Sequence, residues 1–157
     1  IDLDETEREA IVMSYESQSP AAIGYKAEKA IAEYFMKSGF VVDSINDRSP
    51  LDLLLQDSKG NIGVMVSTPS VRSLFTYTRI LVGGQGFSIH SRPIVERFDF
   101  ENYQRVKIIC AIRDINEYGV SDRLVTRIKE TREELDTKID LLIGFVNDSN
   151  EFEFIDI

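Results

Sequence analysis

The stretch SPLDLLLQDSKGNIGVMVST, residues 49–68, constrains the fold more than any other part of the chain. Two apolar runs flank DSKGN, whose small and polar residues favour a tight turn. The spacing predicts strands over 51–56 and 61–68, paired as a local antiparallel hairpin. A strand's period of two then puts Ile62, Val64 and Val66 on one face and Gly63, Met65 and Ser67 on the other. One acid, Asp52, enters the first strand just before three leucines, although acids are depleted in strands. It either caps the loop NDRSP (46–50) through backbone N–H groups or serves a site.

Around this hairpin the remaining elements follow from caps and periodicity. Ser19 and Pro20 read as an N-cap with proline in the first turn. Ile23, Ala27, Ala30, Ile31, Tyr34 and Phe35 then recur at helical spacing up to Ser38 and Gly39, where glycine can end the helix. A strand follows at 40–45. The run VKIICAIRD (106–114) has the continuous apolar character of a central strand. Ser121 caps a helix over 121–136 that turns Leu124, Val125, Ile128 and Leu135 inward. IDLLIGFV (139–146), the turn NDSN and EFEFIDI (151–157) form a closing hairpin. FTYTRILV (75–82) alternates poorly and GGQG (83–86) breaks it, so the middle of the chain is expected to be irregular. This order predicts an α/β fold: a mixed central β-sheet with a helix on each side.

No repeat or linker divides the 157 residues, which predicts one domain, an acidic N-terminal segment (1–19) leading into a core (20–157). The acidic start has Ile11 and Tyr15 at helical spacing and is unlike a signal peptide, and a first residue of Ile1 suggests trimming. No apolar run approaches the roughly 20 residues a bilayer requires, which excludes a transmembrane helix. Cys110 is the single cysteine and cannot form an internal disulfide. It reads as a small core residue in a reducing, cytoplasmic setting. With one Cys and one His, a zinc site of soft ligands is excluded, leaving a carboxylate site for a hard cation.

Lys and Arg number 18 against 27 Asp and Glu, a net charge of −9 that opposes broad attraction to nucleic acid. The charge is uneven. Residues 1–19 carry six acids against one base, whereas 72–107 carry six bases against three acids. Arg72, Arg79 and Arg92 make that middle stretch the place to look for a phosphate-binding face, against the alternative of scattered solvated cations. His90 lies near Arg92 and reads as structural or as a phosphate contact. GGQGF (83–87) lacks the lysine and following helix of a phosphate loop and reads as a turn.

GYKAEKAIAEYFMKSGFVV (24–42), SPLDLLL (49–55), GVMVST (63–68) and the closing IDLLIGFVNDSNEFEFIDI (139–157) together resemble the PD-(D/E)XK nuclease superfamily. The likeness implies a restriction-endonuclease-like fold. It aligns Glu28 with the glutamate of the opening helix, Asp52 with the motif's first acid, and Met65 and Ser67 with its second acid and lysine. Glu28 and Asp52 would then hold magnesium or manganese. Methionine offers only a soft thioether to such an ion, and serine carries no charge. Without the likeness, Glu28 is an exposed helix residue between Lys26 and Lys29.

Three functions follow. The first is a nuclease-like domain with a degenerate active site, acting mainly by binding nucleic acid, such as DNA, or a protein partner. The second is an active magnesium- or manganese-dependent endonuclease with relocated groups, drawn from Lys26, Lys29, Gln56, Arg72 or Arg79. The third is a protein-interaction or homo-oligomerisation module, supported by the acidic N-terminal segment and by the aromatic edge strand EFEFI, which can pair with another chain.

Overall fold

Local chemistry closes the hairpin first. Asp57 Oδ1 accepts from the N–H groups of Lys59 (2.8 Å) and Gly60 (3.1 Å), which ties the turn. The flanking strands, β2 (Leu53–Asp57) and β3 (Gly60–Ser67), pair antiparallel with Leu55 opposite Ile62. Strand β1 (Val41–Ser44) joins the other side of β2, with Val42 opposite Leu55. These coordinates are a computed structural model that describes residues 19–45, 49–82, 98 and 100–157. The acidic segment up to residue 18, most of the NDRSP loop, and the stretch holding GGQGF, His90 and Arg92 lie outside the described residues.

Beyond β3 the sheet turns parallel. β4 (Arg105–Ala111) runs parallel to β3, and β5 (Ile139–Val146) parallel to β4. β6 (Phe152–Phe154) closes antiparallel on β5, so the spatial order is simply β1-β2-β3-β4-β5-β6. Parallel neighbours need long crossovers, and each one here carries a helix. α2 (Leu74–Val82) links β3 to β4, and α3 (Asp122–Glu134) links β4 to β5. The expected α/β fold, a mixed central sheet flanked by helices, is present. No described helix is long and apolar enough to cross a membrane.

The opening helix, α1 (Pro20–Lys37), begins as its sequence predicts, with Ser19 Oγ accepting from Ala22 N–H at 3.0 Å. Gly39 follows its end at φ +97°, a conformation that costs other residues energy. Its buried stripe, Ala27, Ala30, Ile31 and Phe35, packs on Leu53, Leu55, Val64 and Ile109. Ile31 alone, fully buried, contributes about 2 kcal/mol of hydrophobic stabilisation. The opposite face of the sheet carries Met65, Val106, Ile108 and Cys110, covered by Leu74 and Leu81 of α2 and Leu124 and Ile128 of α3. Each face of the sheet therefore has its own core. At the β5–β6 edge, a Cβ on Gly144 would sit 2.3 Å from the Glu153 carbonyl oxygen, so only glycine lets β6 close there.

The irregular middle is a correction. Residues 75–82 belong to α2, not to an irregular stretch. The aromatic and β-branched run FTYTRILV has little helical character locally, but Leu74, Thr78 and Leu81 fall on one helical face and bury against α3. Ser70 and Ser73 cap the start reciprocally, each hydroxyl accepting from the other's N–H at 3.1 and 3.0 Å. The closing hairpin turns one aromatic inward and leaves the other at the surface against α1. Phe152 is buried, and Tyr34 of α1 stands edge-on to Phe154 with ring centroids 5.0 Å apart.

Candidate functional site

Asp52 sits where β2 begins, and its backbone still belongs to the ladder: its N–H donates to Val64 O at 2.8 Å and its carbonyl accepts from Ile45 N–H. Its carboxylate continues that ladder in place of a carbonyl, with Oδ2 accepting from Val66 N–H at 2.7 Å. This is a short, charge-assisted bond between strands. Asp52 therefore ties the neighbouring strand rather than capping the preceding loop.

Glu28, one helical turn beyond Gly24 on α1, reaches the same carboxylate and shares a hydrogen bond with it. Two carboxyl groups can do this only around a proton or a cation. Burial, and next the Asp52 charge, push Glu28 up to about 7. Burial raises Asp52 as well, while the Val66 N–H and the bond from Glu28 pull it back down. The shared proton therefore resides on Glu28.

A raised folded pKa means that the folded protein holds a proton the unfolded chain has already lost. Its stability contribution is greatest below the ordinary carboxylate range and is lost as pH rises towards about 7. The melting temperature should fall between pH 5 and pH 8. In Glu28→Gln much of that fall should disappear, leaving the variant more stable than the parent at pH 8. Identical pH profiles in thermal melts of the two proteins would show that the pair does not interact this way.

The β3 positions divide between the two faces. Val64 and Val66 look towards α1, the side from which Glu28 arrives. Met65 looks the other way and is buried against the α2–α3 layer. Ser67 follows Met65, its hydroxyl 3.5 Å from Cys110 Sγ. The structure thus brings Glu28 and Asp52 together and keeps Met65 in a core behind them. Cys110 is a buried free thiol, pushed up to about 12 by that burial. Gln56 is engaged far from the pair, donating to Asn61 Oδ1 at the turn. Among the described residues no three of His, Cys, Asp and Glu cluster as a metal-binding set.

Cations line a series of hollows that begins where β3 and β4 end and continues along α2 and α3. The three adjoining hollows measure about 180, 380 and 240 Å³. The first holds Lys26 and Arg113, and the second shares Arg113 and Thr68 with it. The third shares Thr76 with the second and holds Phe75, Arg79 and Arg123, whose guanidinium lies 5.5 Å from the phenyl centroid. No described Asp or Glu lines any of them. Arg72, Arg79, Arg113 and Arg123 are exposed and make no ion pair among the described residues. In a chain of net −9, guanidiniums without ion pairs around hollows that no described acid lines form a strip with a local excess of positive charge, although Asp114 and Asp122 adjoin Arg113 and Arg123 in the chain. The sequence pointed to Arg72 and Arg79 but not to Arg113 or Arg123. Arg113 had one usable signal, its place just past a central parallel strand, where ligand sites of α/β sheets collect.

No protein-family model and no curated protein matches this chain. Among solved structures it is similar to Pyrococcus furiosus SfsA in complex with Ca2+, at 17% identity and a TM-score of 0.33. The match covers 85% of this chain, which spans 60% of that protein's length. The fold assignment rests on the chain's own strand order.

Proposed function

We propose that this is a nuclease-like domain that binds nucleic acid along the cationic strip and whose hydrolytic site is incomplete. The observation that carries the reading is the separation at β3: Glu28 and Asp52 meet, while the next positions on β3 supply neither a third carboxylate nor a lysine. The two carboxylates suit an oxygen-preferring ion such as magnesium or manganese, with Asp52 Oδ2 already engaged by Val66 N–H. When bound, such an ion would neutralise phosphate charge and acidify a water. Val64 and Val66, the β3 side chains nearest Glu28's face, can neither ligate it nor orient that water. Binding then falls to Lys26, Arg79, Arg113 and Arg123, which attract phosphate by releasing its counterions.

The test combines binding and cleavage on single- and double-stranded DNA. Affinity should fall linearly on a log–log plot against salt, and Arg79→Ala/Arg123→Ala should lower that slope by about two. Cleavage with magnesium or manganese should stay at background. Metal-dependent cleavage that vanishes in Asp52→Asn would show a working enzyme instead. Binding indifferent to salt and to the two arginines would remove the strip as the contact.

A further inference from the structure

The middle hollow has a composition that the nucleic-acid reading does not account for. Around an apolar floor that includes Pro69 and Ile80, its walls bring together five hydroxyl side chains, Ser67, Thr68, Ser73, Thr76 and Tyr77, of which Ser73 is engaged with Ser70, and one guanidinium, Arg113. Arginine is a permanent donor with no acceptor, and hydroxyls donate readily to an anion. Two acids stand near without lining the hollow: Asp114, next to Arg113, accepts from Val71 N–H at 2.7 Å, and Asp52, which accepts from Val66 N–H, also acts on the Tyr77 hydroxyl through its charge. At the back, the Tyr77 hydroxyl is buried within reach of Ser67 Oγ yet has no hydrogen-bond partner in good geometry. A buried orphan hydroxyl in a native fold calls for an account.

We propose that this hollow is a phosphate-group site, with Arg113 pairing the anion and the Ser67 and Thr76 hydroxyls donating to its oxygens. Tyr77 acts as a positioning residue. When Ser67 turns its proton towards the ligand, its oxygen becomes the acceptor that the Tyr77 hydroxyl lacks. The phosphate arrives either free or as the terminal monoester of a nucleic-acid strand lying in the strip. The site deepens the proposed function but does not depend on it.

Inorganic phosphate and a short oligonucleotide, with and without a 5′-phosphate, are titrated against the intact protein and followed by amide NMR shifts. Phosphate should perturb residues 67–76 and 113, and the phosphorylated strand should bind about tenfold more tightly than its unphosphorylated twin. Arg113→Gln, an exposed change, should abolish both effects. Tyr77→Phe should weaken phosphate binding with no loss of thermal stability, because it removes an unpaired buried hydroxyl. A loss of stability with phosphate binding unchanged would reduce Tyr77 to a structural role and overturn its part. No response to phosphate, with the oligonucleotide bound regardless of its end, overturns the site and leaves the nucleic-acid reading standing. A response to phosphate that needs Arg113, with no oligonucleotide binding, supports the site and removes that reading.

Discussion

Met65→Glu should lower the melting temperature by about 10 °C, while Ser67→Lys should leave it almost unchanged. Met65 is buried in the same hydrophobic cluster as Leu74 and Ile108, on the α2–α3 side of the sheet. An unpaired carboxylate there costs about 3–5 kcal/mol after relaxation, and each kcal/mol moves a domain of this size by about 2–4 °C. Ser67 borders the 380 Å³ hollow, so a lysine can lay its stem along the wall and keep its ammonium in water. The double variant should therefore gain no metal-dependent cleavage, because the new carboxylate lies behind β3 rather than beside Glu28. A stable Met65→Glu protein that binds manganese more tightly than the parent would show that this position does reach the acid pair.

Asp52→Ala should destabilise the fold and Asp52→Asn should not. The Asp52 carboxylate satisfies Val66 N–H, a partly buried donor, at 2.7 Å. Alanine leaves that donor unsatisfied, at a cost of about 1–3 kcal/mol. Asparagine keeps an oxygen at the same reach and removes the charge that, after burial, raises Glu28. The two variants separate structure from chemistry. A cation-dependent property lost in both belongs to the carboxylate; one lost only in alanine belongs to the strand tie. Equal melting temperatures for the two would show that the Val66 bond contributes nothing to stability.

Much of the fold was legible before any coordinates. Ser19, Pro20 and Ser121 mark helix starts because capping is satisfied within a few residues of chain. DSKGN marks the hairpin because Asp57 bonds its own turn. Asp52 could be singled out, since an acid beside an apolar run is visible in one dimension, whereas Glu28 came only from the family likeness. α2 could not, because what makes 74–82 helical is burial against α3, some fifty residues later.

The sequence by itself determined the alternation of β3, with Val64 and Val66 opposed to Met65 and Ser67, since a strand's period is local. Only the tertiary structure decided which of those faces meets α1, because that depends on how the helix crosses the sheet. That choice buries Met65 away from the acid pair and commits Asp52 to a backbone N–H. It also gathers Lys26, Arg79, Arg113 and Arg123, scattered over almost a hundred residues, along hollows that begin where β3 and β4 end. Charge on a chain is additive, but its effect on a ligand depends on distance, and distance exists only once the chain has folded.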